Sequence, residues 1–363
     1  MKKIKIIIAT ICGFLGVFLL LVMYAPFTFG HKHNELDFSE VLKEAALDEE
    51  TKVTNIHLLG AHDAYSHNIG LFSKTDPGED GLASNKVAKI FFKGGMSRVA
   101  RAQKHSAAKL LSSGVRYFDV RVSYYENSWY TKHGFISDKL ELYLQETYTF
   151  LNANPSEFII FDVQHIYTSD KTINDFINYL VTTELDGRTF NDYVHYDSST
   201  ILLEDLKYKD VINNTRGGII FLINDDETIT NEHKKYMYER GDGEDNVISI
   251  RSKWHNKNVI DDIILDINDE ATLIAHEDFQ KMFRLNQAQL TPDYLKAPLK
   301  TIFSWSLLDI AKHSNIALLK NDNFDQWLEA MPIFMVDFAN SNYKDFAKLI
   351  NEKIIAANQN LVL

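Results

Sequence analysis

From Val53 onward, short apolar runs of strand character alternate with stretches whose apolar residues recur every three or four positions. That alternation is the strongest constraint on the fold. The strand runs are 55–60, 116–123, 129–133, 158–164, 218–224, 246–250, 301–305 and 332–338. The helical patterns are 96–113, 139–153, 172–184, 278–289, 309–319 and 343–357. In 139–153 the apolar positions Leu140, Tyr143, Leu144, Thr147, Phe150 and Leu151 follow a 3.6-residue period. Strands joined by helices select a parallel sheet buried on both faces. Eight strand runs suit an α/β fold of the closed (β/α)8 TIM-type barrel. In such a barrel the functional side chains gather at the C-terminal strand ends. His62, Arg121, His133, Gln164, Asn224 and Asp337 all stand at or near such ends and would converge on one rim. A doubly wound sheet would string them along a line. The charged segment 227–243 reads as a rim loop.

Upstream, the chain divides differently. Met1-Lys-Lys-Ile-Lys is basic, and 6–25 is almost wholly apolar. About 20 such residues suffice to cross a bilayer as a helix, and the preceding lysines favour a cytoplasmic N-terminus. Residues 1–30 are therefore expected to form a membrane anchor or a signal peptide. Either places the remainder outside the cytoplasm. Residues 31–50 are polar and acidic and read as a linker with one short helix, 38–47. Residues 51–363 are then the barrel domain. A formal net charge of −12 argues against nucleic-acid binding through a basic face. The single cysteine, Cys12, lies in the apolar run, so the folded part has no disulfide or thiolate metal site.

Two histidines carry the chemistry. His62 ends Ile56-His-Leu-Leu-Gly-Ala-His62-Asp63, and His133 ends Trp129-Tyr-Thr-Lys-His133-Gly134. Between them runs Gly114-Val-Arg-Tyr-Phe-Asp119-Val-Arg121, with Asp119 and Arg121 on one strand face. Two imidazoles and a guanidinium suit phosphodiester chemistry: one base, one acid, and a fixed cation for the phosphate. The plainer reading of His62-Asp63 is a loop hydrogen bond, and that of Asp119–Arg121 a structural ion pair. His57, His67, His105, His165 and His276 are read as structural. No His-x-x-x-His or His-Glu-x-x-His spacing occurs, so zinc is not expected. Gly78-Glu-Asp-Gly81 and Gly241-Asp-Gly243 are turns that lack the Lys-Ser/Thr of a phosphate loop.

Several segments, in order, resemble the X domain of phosphatidylinositol-specific phospholipase C. They are Gly60-Ala-His62-Asp63, Gln103-Lys-His-Ser, Leu110-Leu-Ser-Ser-Gly114-Val-Arg-Tyr-Phe-Asp119-Val-Arg121, His133-Gly134, Phe150-Leu-Asn-Ala-Asn-Pro155-Ser-Glu157 and Val336-Asp337-Phe338. The similarity spans about 54–355 and is dense over 54–166 and around 337. The resemblance implies an irregular barrel independently of the strand pattern. It implies that His62 is the general base and His133 the general acid, with Asp63 assisting the acid and Asp337 orienting His62. Calcium-dependent members carry Asp where Arg121 stands and Asn where Asp63 stands. This chain therefore looks like the metal-independent bacterial type, with the guanidinium in place of the cation and no cofactor. Gln164, at another calcium-ligand position, is a weak hard-cation ligand.

The chain departs from the bacterial pattern at the middle strands. Gln164 and Asn224 replace basic headgroup contacts, and Asp225-Asp226-Glu227 follows. Asp119, Gln164 and Asn224 are expected to line the headgroup site, which should disfavour polyphosphorylated headgroups. The expected partner is a phospholipid headgroup at a membrane surface, bound by a monomer. Two rivals stand beside this reading. A metal-dependent glycerophosphodiester phosphodiesterase is one, although its His-Arg-Gly start and Glu-x-Asp pair are absent. A non-catalytic headgroup-binding module on the same fold is the other.

Overall fold

The computed structural model describes residues 7–8, 10–16, 37–78, 86–224, 229–242, 246–274, 277–292 and 306–362. Its frame is one curled sheet. The strands are β1 Leu58–Ala61, β2 Val115–Tyr125, β3 Ser128–His133, β4 Phe135–Lys139, β5 Phe158–Tyr167 and β6 Gly218–Ile223, followed by β7 Tyr238–Glu239, β8 Gly241–Asp242, β9 Asn246–Val247, β10 Ile250–Lys253, β11 Phe283–Gln287 and β12 Ile333–Val336. The sheet order is β10-β11-β12-β1-β2-β5-β6-β7. These eight strands are parallel and follow chain order around the curl, with β12 pairing back onto β1. The seam between β7 and β10 has no ladder among the described residues. It is bridged by one backbone hydrogen bond, Ser249 N–H to Arg240 O at 3.3 Å. The barrel of the sequence reading is therefore present as a parallel curl with an open seam. β3 and β4 stand off it as an antiparallel extension of β2.

Alternation along the strands sorts the side chains into two cores. Leu59, Phe118, Phe161, Phe221 and Phe334 pack outward against the helices. Leu58, Tyr117, Ile160, Leu222, Leu285 and Met335 fill the inside of the curl. Gly60 belongs to the inner row. A Cβ there would stand 3.0 Å from Tyr117 Cδ1 and 3.0 Å from Met335 Cβ, so only glycine lets β1 approach its neighbours this closely.

Several readings differ from the structure; the helix expected over 96–113, for one, is broken between Lys86–Ala100 and Ala107–Ser112. The helix expected over 278–289 is instead the 3-10 turn Glu277–Lys281 followed by β11. In β11, Phe283 and Leu285 face the inner core, a period of two that short apolar spacing disguised. Strand 55–60 starts later, because Val53–Asn55 is a 3-10 turn. The expected strand 301–305 lies outside the described residues. Helices Ile260–Ile274 and Phe324–Ala330 were not anticipated.

Residues 37–50, read as a linker, are packed beneath the curl. The helix Val41–Ala45 buries Val41, Leu42 and Ala45 at the N-terminal ends of the strands. Leu42 N–H and Lys43 N–H both donate to Glu157 Oε1, at 3.0 and 3.1 Å. Arg116 Nε donates to Glu157 Oε2 at 2.8 Å, and the same guanidinium reaches Ser39 O at 2.8 Å. Phe38 N–H donates to Ser112 O at 2.8 Å. A fully buried ion pair is tolerated only when its remaining hydrogen-bond capacity is used in this way. Most of the apolar stretch 6–25 lies outside the described residues. Among the described residues no helix is long and apolar enough to cross a membrane.

Candidate functional site

At the opposite end of the curl, β1 and β12 finish side by side. His62 N–H donates to Val336 O at 3.1 Å, which carries the pairing one residue past the ladder. The chain then turns sharply on both strands. Asp63 has φ +42° and Phe338 has φ +51°. Asp tolerates the left-handed region; a bulky aromatic there signals strain held by its surroundings. Phe338 is held by its N–H, which donates to Ala102 O at 2.7 Å.

These turns bring His62 and Asp337 together. His62 Nδ1 lies 2.7 Å from Asp337 Oδ1. A carboxylate accepts, so Nδ1 carries the proton and Nε2 faces the site. Around Nε2 stand Arg121 Nη2 at 3.3 Å, Asp63 Oδ2 at 3.4 Å and Asp119 Oδ2 at 3.8 Å. Arg121 rises from β2 between the two carboxylates. Its Nε is 2.7 Å from Asp63 Oδ1, and its Nη2 is 3.2 Å from Asp119 Oδ2. Asp119 also accepts from Asp63 N–H at 3.1 Å, which fixes the turn.

His133, at the end of β3, completes the group. Its Nδ1 is 2.8 Å from Ala100 O and 3.0 Å from Asp63 Oδ2. Both neighbours are oxygens, so Nδ1 bears the proton in every charge state and Nε2 is left for chemistry. The two imidazole centroids are 6.3 Å apart, with the rings inclined at 72°. The Asp63 oxygens are near their partners but poorly aligned for hydrogen bonding, so the contact with Arg121 and His133 is chiefly one of charge.

Charge tunes the first histidine strongly. Burial alone would lower the His62 pKa, but Asp63, Asp337 and Asp119 outweigh it and raise it to about 9. Asp63 is pulled the other way. Burial would raise it, yet Arg121, His133 and His62 hold it at about 2. Burial also pushes up the Asp337 carboxyl, with His62 opposing. A ring flanked by three carboxylates keeps that pair charged.

The sign of the resulting pH dependence follows by linkage. His62 takes up its proton more readily folded than unfolded, so its contribution is full below the unfolded value of roughly 6.5. It is lost as pH rises through about 9. The contribution is on the order of 3 kcal/mol. We predict that urea unfolding free energy falls between pH 6.5 and 9, and that Asp337→Asn flattens this fall. An equal slope in both proteins would refute the assignment.

The structure thus gathers His62, Asp63, Asp119, Arg121, His133 and Asp337; of the strand-end residues expected to converge, Gln164 and Asn224 stand apart from this group. His62, Asp63 and Asp119 also form the one group of donors among the described residues close enough to share a metal ion, with ligand atoms within 4.8 Å of one another. The Arg121 guanidinium already stands against both carboxylates of that group. Gln164 sits deeper in a second network. Its Nε2 is 3.3 Å from both Tyr117 Oη and Asp162 Oδ2. Asn224 ends β6 and donates its N–H to Val163 O at 3.3 Å, without joining either network.

Two residues of the site were given no role in the sequence reading. Arg240 follows the two-residue β7 and donates through Nε to Asp162 Oδ1 at 3.0 Å. Tyr117 Oη donates to the same carboxylate. A cation therefore remains within the second network, but Asp162 neutralises it. Its signal was a lone Arg in the charged segment read as a rim loop. Gln103 is the second. Fully buried, it contacts the ends of β1 and β12. His57 is structural, bonded to Asn358 at the base. His67 meets Tyr143 Oη at 3.0 Å, and His276 lies outside the described residues.

Chemically, the arrangement offers two imidazole Nε2 atoms facing one space, each with its Nδ1 proton fixed, and a guanidinium beside one of them. That suits proton removal and proton delivery about a phosphodiester.

No family model matches the chain. It is 32% identical over 149 residues to the variant-surface-glycoprotein phospholipase C of Trypanosoma brucei brucei, covering 38% of this chain and 42% of that protein. It is 31% identical over 147 residues to PI-PLC X domain-containing protein 3 of Mus musculus, covering 38% and 45%. A PI-PLC X-box domain-containing protein of Dictyostelium discoideum is 29% identical over 123 residues, covering 34% and 16%. The chain thus spans less than half the length of these curated relatives. Among solved structures, a mutant of the phosphatidylinositol-specific phospholipase C of Staphylococcus aureus superposes with a TM-score of 0.59 at 16% identity, covering 88% of this chain and 98% of that one. The enzyme from Listeria monocytogenes gives 0.58 at 18%, covering 88% and 98%. At such identities the likeness is one of fold.

Proposed function

We propose that the chain, which is similar over about two fifths of its length to phosphatidylinositol-specific phospholipase C X-domain proteins, is a member of that family and a metal-independent phosphodiesterase acting on phosphatidylinositol-type lipids. The observation that carries the reading is the placement of Arg121. Its guanidinium lies within 3.4 Å of Asp63, Asp119 and His62 Nε2, where a phosphate beside His62 would need a cation. His62 Nε2 takes the proton of a ring hydroxyl next to the phosphate, and that oxygen attacks phosphorus. The bond from phosphorus to the glycerol oxygen breaks, and His133 Nε2 protonates the departing oxygen. Diacylglycerol and a cyclic inositol phosphate result, with His62 now charged and His133 neutral. Asp337 orients His62, and Asp63 holds the proton on His133 Nδ1.

The mouth favours an uncharged headgroup ring. Among the described residues Arg240 is paired with Asp162, and Gln164, Gln287 and Gln289 offer amides, with the Ser252 hydroxyl beside Gln287. Amides and paired charges suit hydroxyls better than extra phosphates. The basic start and apolar 6–25 favour an anchored domain outside the cytoplasm. Protease added outside intact cells would digest such a domain and spare a cytoplasmic one.

Phosphorus NMR of the full chain with phosphatidylinositol vesicles in excess EDTA tests the reaction. A cyclic phosphodiester resonance is the expected result. Product only after Ca²⁺ or Mg²⁺ addition would overturn the role of Arg121. No product in either condition would favour the non-catalytic headgroup-binding module.

A further inference from the structure

Between the helices Lys86–Ala100 and Ala107–Ser112 runs a short irregular segment that, with the last residue of the first helix, meets the ends of β1, β3 and β12. Ala100 O faces His133 Nδ1 at 2.8 Å. Ala102 O accepts from Phe338 N–H at 2.7 Å. Gln103 is fully buried and uses its whole carboxamide. Nε2 donates to His62 O at 2.9 Å and to Val336 O at 3.0 Å, while Oε1 accepts from Ala339 N–H at 3.1 Å. Ser66 Oγ anchors the segment by accepting from Ala102 N–H at 2.9 Å and Gln103 N–H at 3.3 Å.

Strand pairing ends here. β1 and β12 pair only as far as Ala61 with Val336. His62 and Asp337 lie one residue further on, where the single His62 N–H to Val336 O bond is the last between the strands and both chains turn left-handed at the next residue, Asp63 and Phe338. Gln103 spans that gap. It tethers the carbonyl of His62 itself and straddles Asp337, binding Val336 before it and Ala339 after it. We propose that Gln103 is a positioning residue that sets the His62–Asp337 contact by clasping the ends of β1 and β12. It touches neither reacting group; it acts through the backbone that carries them. The groups facing His62 are Asp337 from β12, Asp119 and Arg121 from β2, His133 from β3 and its own neighbour Asp63. Of these, only Asp337 meets Nδ1, so loosening the clasp should act on that one bond.

The kinetic part of the test rests on the proposed phosphodiesterase reading; the spectroscopic part does not. Gln103→Met keeps the volume and removes all three hydrogen bonds. Proton–nitrogen NMR of the full chain labelled on histidine reports the His62 Nδ1 proton, which a 2.7 Å bond to carboxylate protects from exchange and shifts downfield. In Gln103→Met this resonance should broaden or move upfield. With phosphatidylinositol, kcat should fall roughly 10- to 100-fold while KM stays within about twofold. Adding Gln103→Met to Asp337→Asn should cost little further, because both act on one contact. An unchanged Nδ1 resonance in folded Gln103→Met overturns the proposal whether or not the protein turns over lipid. Independent, multiplicative losses in the double variant overturn it as well. Should Gln103→Met not fold, Ser66→Ala loosens the same segment more gently. It should shift the resonance in the same direction, and no shift there counts equally against the clasp.

Discussion

Replacing His62 with Ala should lower turnover of phosphatidylinositol by about 10³- to 10⁴-fold, and His133→Ala should do nearly the same, since general acid–base catalysis contributes losses of this order. The two effects should not multiply, because proton removal and delivery act on one transition state. Initial rates with vesicles for the two single variants and the double variant check this. A loss below tenfold in either single variant would exclude that ring from proton transfer. The pH profile adds a constraint. With the His62 pKa raised to about 9, only about one ring in a hundred is neutral at pH 7. The kcat/KM of the wild type should therefore climb nearly tenfold per pH unit on its acidic limb. Asp337→Asn should move that limb to lower pH while reducing the maximum, because it removes one of the charges that raise the ring and also frees its orientation.

Arg121→Lys should cost turnover roughly 10²- to 10³-fold with little change in KM, because an ammonium cannot fork between phosphate oxygens as they gain charge. Arg121→Ala should be worse in two respects. It removes the transition-state cation, and it leaves Asp63 and Asp119 buried without their partner. The second effect should lower unfolding free energy by about 3 kcal/mol at neutral pH. Denaturant titration and steady-state kinetics separate the two. A destabilised Arg121→Ala protein with wild-type turnover would show that the guanidinium is only structural.

The parts of the site that could be read in the sequence are those on strands with clear alternation. Gly60-Ala-His62-Asp63, Asp119-Val-Arg121 and Val336-Asp337 sit where apolar runs stop, and a parallel curl brings such stops to one end. Arg240 could not be found this way. Its strand has two residues, Tyr238 and Glu239, too few to show a period, and its surroundings are polar. β11 was misread for a related reason. In Phe-Arg-Leu-Asn-Gln the inward Phe283 and Leu285 alternate with Arg284 and Asn286, but five residues beside Phe279 imitate a helical spacing. Gln103 was visible as part of a resemblance, yet nothing in its sequence says that a buried amide will bridge two strands, one of them 233 residues away. Long-range hydrogen bonds of this kind exist only once the topology is known.

The segment under the curl gives the molecule a polarity. The chain arrives at Asp37 beside the N-terminal strand ends, while the histidines open at the other pole. Eleven residues, 26–36, separate the apolar stretch from that arrival point, and fully extended they reach at most about 40 Å. A protein moored to a bilayer through 6–25 would then have its mouth pointing away from its own mooring. Lipid in a facing surface, or lipid that has left its bilayer, would be nearer to His62 than lipid in the membrane that holds the chain. Comparing cleavage in the host vesicles of a reconstituted protein with cleavage in added vesicles would detect this: faster attack on the host leaflet would mean that the barrel lies on its side.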